Sequence, residues 1–166
     1  LLFSSFGFAQ DFKILPLGIY GGGDESNLSS YLVADYKSSN FVACDAGTLR
    51  AGLNKAKDLG SIDKAAVEFL QENIKAYLIS HSHFDHVAGL IINSPEDSPK
   101  NIYASSATLT AFQKHFFSFT TWANFGDSGE QPSIGKYSYK ALDLEKITPI
   151  ENTELFVSRY ALNHPV

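Results

Sequence analysis

Apolar residues alternate with polar ones over residues 12–18, where Phe12, Ile14 and Leu17 predict a strand that runs into the turn Gly21-Gly22-Gly23. Two short apolar runs, 31–34 and 41–45, flank the polar stretch 35–40 and together read as a hairpin. The period then lengthens. Residues 48–58 and 63–73 have helical spacing, the second with Asp63 as its expected cap and Ala66, Phe69 and Leu70 on one buried face. Residues 75–80 read as a strand and 87–92 as the start of a helix. A turn-rich loop at 94–100 precedes a strand at 102–104 and a helix over 106–117, capped by Ser105 or Ser106. After a polar, glycine-bearing loop at 126–135, strands are expected at 137–142 and 155–162. Strands interleaved with helices predict an α/β fold with helices packed on a sheet.

Composition narrows the class. The chain has 166 residues, 44% of them hydrophobic and 19% charged, which suits one globular domain. Its formal charge of −5 argues against a general nucleic-acid surface, which needs clustered Lys and Arg. No run approaches the roughly 20 apolar residues of a membrane span. The single cysteine, Cys44, rules out an internal disulfide framework and reads as a buried strand residue. The opening Leu-Leu-Phe-Ser-Ser-Phe-Gly-Phe-Ala, residues 1–9, has the apolar body and small-residue end of a secretory leader, so export to a periplasm or the exterior is expected. The globular domain then runs over 11–166.

The chemistry gathers at the end of the strand 75–80, in His81-Ser82-His83-Phe84-Asp85-His86. In an extended segment side chains two apart share a face, so His81 and His83 can aim at one point. Asp85 and His86 follow the turn and can swing to an adjacent point. Imidazole and carboxylate without thiolate suit zinc, manganese or iron. A solvated polar loop or an adventitious metal patch, like a short His-rich tract, is the competing reading, disfavoured by the buried strand before the cluster and the apolar helix after it. His164 ends an apolar strand, and a first metal site still needs a third nitrogen, so it is taken as a ligand over a packed residue. His115, among Phe112, Phe116 and Phe117, is read as structural. Asp45 is either an acceptor that orients the ligand loop or a turn-forming aspartate. Gly21-Gly22-Gly23 lacks the lysine and serine of a phosphate loop and is read as a turn.

The hexapeptide 81–86 fits the HxHxDH signature of metallo-β-lactamase-fold hydrolases. Its extension, His86-Val87-Ala88-Gly89-Leu90-Ile91-Ile92-Asn93-Ser94-Pro95, resembles the longer signature of class II 3′,5′-cyclic-nucleotide phosphodiesterases, with Phe84 where leucine is usual. Similarity extends to Gly21-Gly22-Gly23, to 27–33, to Asp45-Ala46-Gly47-Thr48, and to the aromatic stretch 115–125 containing Trp122.

The resemblance implies the N-terminal portion of an αββα sandwich, with two divalent metal ions at the sheet edge, zinc foremost and manganese or iron as alternatives. It implies that His81, His83 and His164 hold one metal while Asp85 and His86 hold the second, Asp85 also positioning the attacking hydroxide. The expected reaction uses a metal-bound hydroxide to cleave the 3′ phosphoester of cAMP or cGMP, giving the 5′-nucleotide. The partner is thus a small-molecule cyclic nucleotide, with neither nucleic acid nor membrane. Superfamily members use a further bridging aspartate and a final histidine beyond His164, so the sequence is expected to be part of a longer enzyme. Rival readings are another hydrolase of the same fold (a lactonase, β-lactamase or RNA-processing nuclease) and a non-catalytic metal-binding module. Phe84, Trp122 and Phe125 are candidates either to stack a purine or to fill the core.

Overall fold

The computed structural model of the protein describes residues 11–162, so the expected leader at 1–9 and the candidate ligand His164 lie outside the described residues. Six strands form one sheet in sequential order: β1 (Phe12–Gly18), β2 (Ser30–Asp35), β3 (Phe41–Cys44), β4 (Ile74–Leu78), β5 (Lys100–Ala104) and β6 (Tyr137–Ala141). The connections dictate the pairing. Short links make β1, β2 and β3 antiparallel, Leu15 facing Leu32 and Leu32 facing Ala43. From β3 onward each link contains a helix, and β3 to β6 are parallel, as such crossovers require. The linking helices are α1 (Arg50–Asp58) and α2 (Ala66–Glu72), then α3 (Phe84–Asn93), then α4 (Ser106–Ala111), which continues as a π-helical turn over Phe112–Phe116.

Successive crossovers of one hand, moving one way across a sheet, leave their helices on the same face. One core cluster accordingly joins Leu53, Phe69, Leu90 and Leu109 of the four helices to Leu32, Ala43, Tyr77 and Ile102 of the sheet. Burying a side chain of that size contributes about 1.5–3 kcal/mol, so this layer carries most of the apolar stabilisation. A smaller cluster on the other face unites Val42, Ala76 and Tyr103 with Leu142, Ile150 and Leu155. It is covered by a hairpin of β7 (Thr148–Pro149) and β8 (Phe156–Val157). Toward β1 that face is open, with Phe12 and Ile14 53% and 62% exposed.

Several expectations are corrected. Asp63 does not cap α2. The N-cap is Ala65, itself extended and with a side chain that makes no capping bond, while Ile62 is buried just before the helix. With Ala65 at the cap, Asp63 lies two residues ahead of the position from which a side chain reaches the first free amides of the helix. Of the two serines considered for α4, Ser105 is the cap, its Oγ accepting from Thr108 N–H at 3.1 Å. The strand expected over 155–162 is only Phe156–Val157. Past it the chain finds a single bridge, Arg159 to Leu144, and Tyr160 and Leu162 are exposed. Cys44 is a strand residue but only half-buried. No helix among the described residues is long and apolar enough to cross a membrane.

Candidate metal centre

Because β3, β4 and β5 are parallel, their C-terminal ends share one edge of the sheet, the usual place for a ligand site in α/β proteins. There Cys44, Leu78 and Ala104 open onto a cavity of ≈ 1260 Å³, which is also lined by Gly21, Asp45, Ser80, His81, His83, Asp85, His86 and Arg159. Arg159 is the one Lys or Arg among these described lining residues. A smaller polar hollow of ≈ 600 Å³ near the start of β4, around Lys75 and Ser98, contains none of the candidate ligands.

Two backbone junctions fix the site. Ile79 N–H still bonds to Tyr103 at 2.9 Å, after which the chain leaves the sheet through His81 and His83. His83 is the extended N-cap of α3, placing Asp85 and His86 in the first turn of that helix. The helix in turn docks on the segment after β3. Ala46 N–H donates to His86 O at 2.8 Å, Gly89 N–H to Gly47 O at 2.9 Å, and Leu90 N–H to Ala46 O at 3.1 Å. Glycine at 89 permits this approach, since a Cβ there would lie 2.8 Å from Ala46 O. Asp45 and the first turn of α3 are thereby locked together.

The imidazoles converge. The His81 ring centroid lies 4.6 Å from that of His83 and 4.2 Å from that of His86. Asp45 is an orienting acceptor as well as the residue that turns the chain, with φ at 55°. Its Oδ1 accepts Ser80 N–H at 2.8 Å, and its Oδ2 lies 2.7 Å from His86 Nδ1 and 3.0 Å from Ser80 Oγ. Asp85 Oδ2 lies 3.3 Å from His86 Nε2. The Cys44 thiol is pushed up to about 11 by burial, then by the neighbouring Asp45 charge, and so stays protonated at neutral pH.

The donor set fits a divalent cation by its chemistry: imidazole nitrogens and a carboxylate gather at one mouth, and the Nδ1 of His86 is already engaged, which leaves its Nε2 for a metal. Among the described residues, no three of His, Cys, Asp or Glu stand in a finished metal-holding arrangement. Of the residues expected in the site, His81, His83, Asp85, His86 and Asp45 meet at the cavity. His115 is exposed on the π-helical turn and does not line it. The aromatic candidates are outside it too. Phe125 is core at 8% exposure, Trp122 donates its indole N–H to Ser94 Oγ at 3.0 Å, and Phe84 packs edge-on against Phe116. Ser80 and Arg159 were not singled out by sequence. A serine between an apolar strand and the first histidine is the only signal that pointed to Ser80, and nothing local marked Arg159.

Sheet, helical layer and site together define an α/β protein of metallo-β-lactamase fold. The crystal structure of unliganded yeast PDE1 superposes with a TM-score of 0.70 at 18% identity, covering 87% of this chain and 54% of that one. The metallo-β-lactamase fold protein YhfI from Bacillus subtilis gives 0.53 at 21% identity, covering 85% and 50%. The sequence profile of the class-II cAMP phosphodiesterases matches residues 60–163, and the chain belongs to that family. It is 36% identical over 173 residues to the 3′,5′-cyclic-nucleotide phosphodiesterase of Aliivibrio fischeri, covering 98% of this chain and 52% of that protein. The chain spans about half the length of the curated relatives it matches.

Proposed function

We propose that the protein hydrolyses 3′,5′-cyclic nucleotides, cAMP or cGMP, to 5′-nucleotides with divalent metal ions at the cavity on the C-terminal edge of β3–β5. The observation that carries this reading is the convergence of His81, His83 and His86, with Asp85, on one cavity in a chain of the class-II cAMP phosphodiesterase family. His81 and His83, with His164, would hold one cation, and Asp85 and His86 a second. Zinc suits these nitrogen and oxygen donors, with manganese or iron as the next fits. When bound, such ions neutralise charge developing on phosphoryl oxygens and acidify water.

The chain's own residues supply the rest. Asp45 fixes the His86 ring, so its donor atom meets the cavity without reorganisation. Asp85 accepts a hydrogen bond from the attacking water; as the water oxygen bonds to phosphorus the bond to O3′ breaks, and the proton that the water gives up balances the one that O3′ takes up. Arg159 adds positive charge on the cavity wall, where an anionic substrate needs it in a chain of net charge −5. We further propose that the protein is exported, on the strength of the apolar segment 1–9.

The test is hydrolysis of cAMP and cGMP by the metal-loaded full-length protein, with a chelator control and with bis-nitrophenyl phosphate and a β-lactam in parallel. Chelator-sensitive release of 5′-AMP or 5′-GMP is expected. Turnover of the lactam alone would overturn the cyclic-nucleotide assignment.

A further inference from the structure

We propose that Ser80 is a positioning residue for His81, relaying the charge of Asp45 to the His81 ring so that one carboxylate sets the tautomer of two imidazoles. The inference rests on reading His81 and His86 as metal ligands. Its basis is a count of protons among four groups.

An ionised carboxylate only accepts hydrogen bonds, whereas a serine hydroxyl has one proton to give. Asp45 Oδ2 lies 3.0 Å from Ser80 Oγ and 2.7 Å from His86 Nδ1, so both of those groups donate to it. The hydroxyl also lies 3.5 Å from His86 Nδ1, too long to compete with the carboxylate at 2.7 Å. With its proton committed to Asp45, Ser80 Oγ can only accept from its remaining neighbour, His81 Nδ1, at 3.0 Å. His81 therefore carries its proton on Nδ1. The chain of donors is His81 Nδ1–H to Ser80 Oγ–H to Asp45 Oδ2, and His86 Nδ1–H reaches the same oxygen directly.

In its neutral form each ring then has Nε2 unprotonated, the form a metal requires; on His86 that nitrogen faces Asp85 Oδ2 at 3.3 Å, the carboxylate proposed to share its cation. Free imidazole side chains in water favour the opposite tautomer, with the proton on Nε2, so this bias must come from the protein. Ser80 is itself held, because its own backbone N–H donates to Asp45 Oδ1 at 2.8 Å. The bidentate grip explains why a serine suffices: neither the hydroxyl nor the carboxylate has to be ordered separately for the relay to form. His81 and His86 are assigned to different cations in the proposed site, so Asp45 with Ser80 would tie both half-sites to one carboxylate.

The test compares Ser80→Ala, Ser80→Thr and Asp45→Asn in the full-length protein. Long-range ¹H–¹⁵N spectra of the metal-free protein read each ring's tautomer, and competition with a chelating dye reads zinc affinity. Wild type should show Nδ1–H on His81 and His86. Ser80→Ala should return His81 toward Nε2–H, leave His86 unchanged, and weaken zinc binding about 10-fold or more. Ser80→Thr should restore both readouts, and Asp45→Asn should disturb both rings. Wild-type His81 protonated on Nε2 would overturn the proposal. So would a Ser80→Ala protein with unchanged His81 tautomer, or a Ser80→Thr protein as impaired as the alanine variant. The tautomer readout needs neither substrate nor metal, so a failed phosphodiesterase assay would leave it standing.

Discussion

Asp45 has a φ of 55°, a left-handed conformation that aspartate and asparagine tolerate better than other residues bearing a Cβ. The same residue both turns the chain out of β3 and orients a ring, so its two roles in the sequence reading were not alternatives. A second aspartate has a different task. Asp97 is buried under the helical layer, where it accepts from Tyr77 and Tyr137 hydroxyls at 2.6 and 2.8 Å and pairs with buried Lys100 at 2.7 Å. Burial lowers the Lys100 pKa and the Asp97 charge opposes that fall. Removing one partner of such a pair leaves an uncompensated buried charge, so Asp97→Ala should cost about 3–5 kcal/mol in urea unfolding. A loss under about 1 kcal/mol, the range of exposed pairs, would show that water reaches the pair. The candidate ligands that meet at the cavity were legible because they sit in six consecutive positions. Asp97 and Lys100 were not, because nothing local distinguishes a buried Asp-Ser-Pro-Lys from an exposed turn.

At the level of elements, α3 links fold and site: its first turn carries Asp85 and His86, and Gly89 lets its next turn lie against 46–47. Gly89→Ala would set a methyl group 2.8 Å from one carbonyl and 2.9 Å from another, so the helix must retreat. The expected outcome is a Tm lowered by several degrees together with weakened metal binding, since both rest on the same junction. Unchanged metal affinity at a lowered Tm would separate the two. Element type was readable from the sequence pattern for β1 to β6 and for the cores of all four helices. Ends were not, because they are tertiary decisions. α2 begins only after the extended Ala65, and past Val157 the chain finds, among the described residues, a single bridge from Arg159 to Leu144. The π-helical turn has no period of its own in a stretch so rich in phenylalanine.

For the whole molecule, the sheet separates a filled helical face from a face covered only in part, among the described residues, by the β7–β8 hairpin. Tyr77 and Tyr137 belong to the filled face, and burial, then the Asp97 charge, raises both phenols above their ordinary range. A group whose folded pKa is raised holds its proton after the unfolded chain has released it. Its stabilising contribution is whole below the unfolded pKa and is lost as pH rises. With ordinary phenols near 10, and the Cys44 thiol shifted the same way, the Tm should decline from about pH 9 upward. Tyrosinate absorbance near 295 nm should include a fraction that appears only with unfolding. A flat Tm to pH 11 would mean these hydroxyls are not buried in solution. The position of β4 carries one more consequence. It lies between β3 and β5, so its amides have ladder partners on both sides, while β1 is an edge strand. Native-state deuterium uptake should therefore be slowest at Ala76 and Tyr77 and faster along β1, with a steep rise from Leu78 into His83. The residues proposed to do the chemistry would then stand a few positions from the slowest-exchanging backbone of the protein, on a loop and a first helical turn whose own protection a bound cation should increase.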